Sequence, residues 1–282
     1  MNSTQIAEKN NWLGTFYEKI EGDHAYISVV FSWHLIKAIE RKKELEIQGH
    51  DVIIGGPAAR YAGIDAGFNL PDAVSWHNPN ACRTSEGCPN HCGFCINKDI
   101  KYREYDSWIP RPIVIDDNIT AASKNHFDKL IDSLKQFDEV DFNQGISAAV
   151  VTDYQATRLR ELKLKYIRVA WDNINYETKF MRGWDILRRA GFPRAKIAVY
   201  VLIGYQDTPD DARYRLEMVR RLGGVPFAMR YQPLNTPKRN THVEGSWTHE
   251  ELQRFCRYWN SQRVTSRIPF DQFENNYKAN KL

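Results

Sequence analysis

The sequence predicts an α/β fold in which six strands alternate with helices, preceded by a small βαβ-like extension. Three observations carry that prediction. Short runs rich in Val, Ile and aromatic residues recur between stretches whose apolar residues fall three and four apart. Threonines stand ahead of several of those stretches with an acceptor three residues on, and Gly223-Gly224 follows one of them. No internal repeat or low-complexity tract interrupts the alternation. The expected divisions are an extension over 1–72, a core over 73–240 and a helical extension over 241–282. Parallel β/α alternation places chemistry at the C-terminal ends of strands.

The extension holds strand-like runs at 25–31 and 51–54 with a mixed helical stretch at 35–47 between them, and Gly55-Gly56-Pro57 ends the second run. It is too short for an independent nucleotide domain. The core begins with strands near 81–84 and 112–115. A helix over 123–137 follows, with Phe127, Leu130, Ile131 and Leu134 on one face. The third strand is 139–142, and Thr152 with Gln155 forms a capping box for the helix after it. Strand four is 165–171; Phe180, Trp184 and Leu187 mark the next helix. The strongest strand, 196–203, precedes a helix started by Thr208-Pro209 and Asp211 and stopped by Gly223-Gly224. The sixth strand is 227–231. Thr248 with Glu251 then opens a helix bearing Leu252, Phe255, Cys256 and Trp259 on its apolar side.

Of the 282 residues, 42% are hydrophobic and 12% aromatic, enough for a packed core and unlike a disordered chain. A net charge of +4 is mildly basic. Arg213, Arg215, Arg220, Arg221, Arg254, Arg257, Arg263 and Arg267 cluster late, read first as solvated helix faces and second as a phosphate or nucleic-acid surface. Residues 1–11 are polar, so no signal peptide is expected, and no run approaches the roughly 20 apolar residues of a membrane span. Five cysteines, three of them crowded, suit a metal site better than disulfides and lead to the expectation of a reducing cytoplasm.

Residues 87–95 read Gly-Cys-Pro-Asn-His-Cys-Gly-Phe-Cys. Cys88, Cys92 and Cys95 can each meet one iron of a cubane 4Fe–4S cluster, leaving a fourth iron without a protein ligand. An open position is what catalysis uses, whereas structural sites are closed. Zinc is a weaker alternative because a second ligand pair is missing, and His91 lies inside the loop. A two-cluster ferredoxin lacks its fourth cysteine, and chance crowding of core cysteines is the remaining alternative.

Cys-x3-Cys-x2-Cys with an aromatic residue before the last cysteine resembles the signature loop of the radical S-adenosylmethionine (SAM) superfamily. The resemblance spans about 80–235 and implies a partial six-strand (β/α) barrel of radical SAM type. It also implies a 4Fe–4S cluster whose open iron chelates SAM, and cleavage of SAM to a 5′-deoxyadenosyl radical that abstracts hydrogen from substrate. Phe94 matches the position near the adenine. Ile115-Asp116-Asp117-Asn118 stands where many members carry Gly-Gly-Glu; Asp117 keeps the acid for the SAM amino group, but the glycines are absent. The fifth strand runs Tyr200-Val201-Leu202-Ile203-Gly204-Tyr205-Gln206-Asp207 and resembles a Gly-x-Ile-x-Gly-x-x-Glu motif on the adenine side. Leu202, Gly204 and Asp207 fit it approximately, and Tyr200 replaces the first glycine. Asn143 and Asp172 are further strand-end candidates for SAM, with helix capping the alternative for Asp172. Arg230 and Gln232 face SAM or substrate, or form an ordinary loop bridge. No residue is singled out as catalytic.

Val52-Ile53-Ile54-Gly55-Gly56-Pro57 resembles the second half of a cobalamin-binding domain, but no Asp-x-His-x-x-Gly is present, so a truncated remnant without cobalamin is expected. Cys256 reads as a core residue; Cys82 is core or a substrate-facing thiol. Trp247, Tyr258 and Trp259 are core or a stacking surface. Compact chains of this type resemble phage and prophage members. The expected reaction is isomerisation or rearrangement, with a modified thymine base of phage DNA hypermodification as a candidate substrate. Oxidoreductase, epimerase and methyl or methylthio transferase chemistry are alternatives, as is a non-catalytic electron-transfer or sensor protein. Expected partners are a small-molecule or nucleobase-type substrate and a one-electron reductant such as flavodoxin or ferredoxin; nucleic acid is a further candidate, and a membrane is not.

Overall fold

The computed structural model describes residues 14–65, 73–233 and 236–279, and the chain divides into two compact units. The α/β class is observed. Among the described residues no sheet exceeds three strands and none is closed.

The N-terminal unit comprises residues 2–117 with 232–241. Its first sheet orders β1 (Tyr17–Glu21), β2 (His24–Ser28) and β3 (Asp51–Gly55), with β1 antiparallel and β3 parallel to β2. Helix α1 (Leu35–Ile47) makes the crossover, so the expected βαβ piece is present with one strand added at its edge. Ala25 and Ile27 of β2 with Val29 just after it, Val52 and Ile54 of β3, and Ala38 and Leu45 of the helix close its core. The strand residues follow the two-residue period of a sheet with one buried face. Short helices α2 (Pro57–Tyr61) and α3 (Ala73–His77) follow. Strands β4 (Ala81–Cys82) and β7 (Ile113–Val114) pair in parallel, and β5 (Ser85–Glu86) pairs antiparallel with β6 (Arg103–Glu104). The expected strands at 81–84 and 112–115 are each two residues long.

The C-terminal unit comprises residues 118–231 and 242–282. Here strand and helix alternate: α4 (Lys124–Leu134), β8 (Asp141–Phe142), α5 (Asp153–Leu159), β9 (Ile167–Ala170), α6 (Glu177–Arg189), β10 (Ile197–Ile203), α7 (Pro209–Arg221) and β11 (Val225–Arg230). Strand β10 is central, parallel to β9 and β11, and buried along its length except at Tyr200. A strand covered on both faces reads as a continuous apolar run rather than an alternation.

Threonine capping boxes start α5, α7 and α8 (His249–Trp259): Thr152 with Gln155, Thr208 with Asp211, and Thr248 with Glu251. Each box satisfies two backbone donors that the first helical turn leaves unpaired. Helices α9 (Gln262–Thr265) and α10 (Phe270–Ala279) end the unit, where Phe255, Tyr258 and Trp259 pack around Phe270. Trp247, Tyr258 and Trp259 are therefore core residues, each no more than 4% exposed. The reading of the late arginines as solvated faces fails for two of them. Arg215 is fully buried, and Arg254 is buried between Glu250 and Glu274. No described helix is long and apolar enough to cross a membrane.

Candidate functional site

The cysteine loop belongs to the N-terminal unit and leaves β5 through Gly87. Gly87 has φ +77°, and a Cβ there would lie 2.6 Å from the carbonyl oxygens of Ile100 and Lys101. Only glycine accepts both that conformation and that contact. The loop then turns on itself: Cys92 N donates to Asn90 O at 2.9 Å and Cys95 N to Cys92 O at 3.0 Å. Two backbone amides point at sulfur, Asn90 N to Cys88 Sγ and Asn97 N to Cys95 Sγ, both at 3.4 Å. His91 Nδ1 donates to Lys98 O at 2.7 Å, a bond that fixes its tautomer and ties the loop across its width. Cys88, Cys92, Phe94 and Cys95 are half-buried.

Among the described residues no three His, Cys, Asp or Glu side chains converge as a ready metal site. The fit to a 4Fe–4S cluster rests on the donor set: three soft thiolates in one short loop, with N–H groups directed at two of them. Such hydrogen bonds accompany cluster thiolates and tune their charge.

The chain after β7 supplies two adjacent acids with different tasks. Asp116 is buried and accepts from Thr84 N at 2.6 Å, Thr84 Oγ1 at 2.5 Å and Ser85 Oγ at 3.0 Å. Burial pushes its carboxyl up while these donors pull it down. Asp117 turns to the cysteine loop. Its Oδ2 accepts from Gly87 N and its Oδ1 from Asn97 Nδ2, both at 2.7 Å, with Arg83 Nη2 3.6 Å from Oδ1. Both oxygens of the residue expected to meet the SAM amino group are thus engaged by the loop.

In the C-terminal unit, Asn143 follows β8 and is half-buried. Asp172 follows β9; burial pushes its carboxyl up to about 6, with the Arg215 charge opposing. The turn after β10 is built on Asp207. Its Oδ1 accepts from Gly204 N at 2.9 Å, Tyr205 N at 3.2 Å and Trp247 Nε1 at 2.9 Å, and its Oδ2 pairs with Arg215 Nη2 at 2.6 Å. Burial raises this carboxyl against those donors. Arg215 also donates from Nη1 to Trp171 O at 2.8 Å. Gly204 has φ +80°, and a Cβ on it would meet Leu252 Cδ2 at 2.9 Å. The close approach that this glycine permits is therefore to helix α8. Arg230 Nη2 donates to His242 O at 2.8 Å. Gln232, in the N-terminal unit, accepts from Asn240 N at 2.6 Å, so both residues make loop contacts.

Cys82 is buried with its thiol 3.6 Å from Arg111 O, and Cys256 is half-buried with Sγ 3.9 Å from Ala228 O. Burial pushes both thiols up to about 11. Neither is poised as a nucleophile, since reactivity needs the thiolate. Reading by residue type missed Asn97, Asp116 and the internal role of Arg215. The one available signal was the Asp207, Asp211, Arg215 spacing, which places an arginine one turn beyond a helix-capping acid.

No family model and no curated protein matches this chain. Solved structures similar to it include the radical S-adenosylmethionine methyltransferase TsrM from Kitasatospora setae, with cobalamin and a 4Fe–4S cluster bound. That match has 15% identity and a TM-score of 0.42, over 55% of this chain and 38% of TsrM. Another is methylornithine synthase, PylB, at 12% identity and a TM-score of 0.42, over 61% of this chain and 59% of PylB. The chain thus spans about two fifths of the one and about three fifths of the other.

Proposed function

We propose that this chain is a radical SAM enzyme in which Cys88, Cys92 and Cys95 hold a 4Fe–4S cluster with one iron open to SAM. The observation that carries the reading is the loop itself, three thiolates in nine residues with amides on two sulfurs and both ends tied down. When bound, the reduced cluster supplies the electron that cleaves SAM to methionine and a 5′-deoxyadenosyl radical. The protein's own part is to hold the thiolates, orient SAM and keep water from the radical. On the resemblance, Phe94, Asn143, Asp172 and the Gly204–Asp207 turn are the SAM-side groups. Asp207 serves there by shaping backbone, since its oxygens already have protein donors. Asp117 keeps its place beside the cluster on the same terms.

The reading includes a partial six-strand (β/α) barrel and a one-electron reductant such as flavodoxin or ferredoxin. Isomerisation or rearrangement is the preferred outcome because it needs the least further equipment. Cys82 and Cys256 sit in different units, each against its own carbonyl, and offer no second ligand set. A nucleobase-type substrate and phage-type DNA modification complete the proposal; cobalamin has no part in it. The test is anaerobic reconstitution with iron and sulfide, then dithionite and SAM. Release of 5′-deoxyadenosine is expected. A protein that takes up a 4Fe–4S cluster but leaves SAM intact would be an electron carrier or sensor, and the enzyme reading would fall.

A further inference from the structure

We propose that Asp117 is a positioning residue that fastens the two ends of the cysteine loop and, through Asn97, sets the hydrogen bond on the Cys95 sulfur. The proposal rests on the reading of this loop as the holder of a 4Fe–4S cluster. Gly87 stands one residue before Cys88 and Asn97 two residues after Cys95, so the pair brackets all three ligands. One carboxylate accepts from both, at 2.7 Å each. Its side chain is only 10% exposed, so these bonds are shielded from competing water. Arg83 Nη2 stands 3.6 Å from Oδ1.

Asn97 is held at two points. Its side chain goes to Asp117, and its backbone N–H goes to Cys95 Sγ. Releasing the side chain frees the residue that aims that amide. Cys88 takes its amide from Asn90, which makes no contact with Asp117 among the described bonds. A thiolate that loses a donor keeps more of its charge, and adding an electron to the cluster becomes harder. The clamp therefore sets the reduction potential as well as the shape of the loop.

The test compares wild type, Asp117→Ala, Asn97→Ala and the double variant after anaerobic reconstitution, measuring iron per chain and the potential by electron paramagnetic resonance. Both single variants should shift to more negative potential. The double variant should shift no further than Asp117→Ala, because that change already breaks the Asn97 link. Arg103→Gln, which breaks an exposed ion pair to Glu86 beside the loop, should leave the potential in place. If Asp117→Ala does not fold, Asn97→Ala decides alone, since it removes only the side-chain link. Unchanged potentials in a protein whose wild type holds the cluster would overturn the clamp and leave the cluster reading intact. A wild type that takes up no cluster would overturn both.

Discussion

Removing the Arg215 guanidinium is the sharpest perturbation available in the C-terminal unit. Arg215 is fully buried, and the Asp207 side chain it pairs with is 5% exposed, so neither charge has water to fall back on. Deleting one member of such a pair costs about 3–5 kcal/mol, mostly because the other is left buried and uncompensated. Asp207 would still accept from Gly204 N, Tyr205 N and Trp247 Nε1, which favours the lower end. Trp171 O would lose its donor, adding about 1 kcal/mol. Arg215→Met should therefore lower stability by about 4 kcal/mol at pH 7, read as a fall in urea midpoint with the slope unchanged. The loss should shrink toward pH 5, because Asp207 and Asp172 without their counter-charge take up protons more readily and a neutral acid needs no partner. Arg215→Met with Asp207→Asn should cost less than Arg215→Met alone. A loss below about 1 kcal/mol, or additive costs in the double variant, would refute the account of Arg215 as a buried counter-charge.

The remaining predictions concern both units. Cys88→Ala, Cys92→Ala and Cys95→Ala should each abolish the cluster absorbance, while Cys82→Ala with Cys256→Ala keeps it; loss of iron in that double variant with normal folding would remove the assignment. Asp172 titrates near 6 rather than its usual 3.8, so its contribution favours folding below about pH 4 and is lost as pH rises through 6. Asp172→Asn should thus stabilise the protein by about 1–2 kcal/mol at pH 7 and not at pH 4, checked by urea midpoints at both. Gly87→Ala should cost about 3 kcal/mol, from a left-handed backbone and a Cβ against two carbonyls, and should show as a lower thermal midpoint. Hydroxocobalamin should pass through gel filtration without co-eluting; stoichiometric corrin absorbance in the protein peak would restore a cobalamin site.

What the sequence made legible is what local chemistry decides. Thr152, Thr208 and Thr248 announce their helices because a cap and its acceptor lie three residues apart. Strand β10 shows in its apolar run, and α1 in the spacing of its buried Ala38 and Leu45. Strand β1 escaped because its Tyr-Glu-Lys-Ile-Glu residues lie at a sheet edge, where side chains stay half-exposed and carry no alternation. The spacing of Cys88, Cys92 and Cys95 marked them as candidate ligands, but the bonds that hold their loop were not legible. Asp117 is 30 residues from Gly87 and 20 from Asn97, and no local pattern links them. Arg215 failed for a related reason: an arginine on a polar helix reads as solvated until tertiary structure buries its partner as well.

The continuous run of β10 has a second side. Ile-Ala-Val-Tyr-Val-Leu-Ile contains no charge and no proline, the composition that self-associates into cross-β stacks when left unpaired. Its partners arrive late, because the register joins Ala198 to Arg168 on one side and Val225 on the other, each across an intervening helix. Until both neighbours dock, the strand offers two open edges, and only Lys196 stands beside it as a charged gatekeeper. Refolding yield should therefore fall as chain concentration rises. Substitutions that loosen the C-terminal unit will show first as insoluble protein, before any change at the cysteine loop is seen.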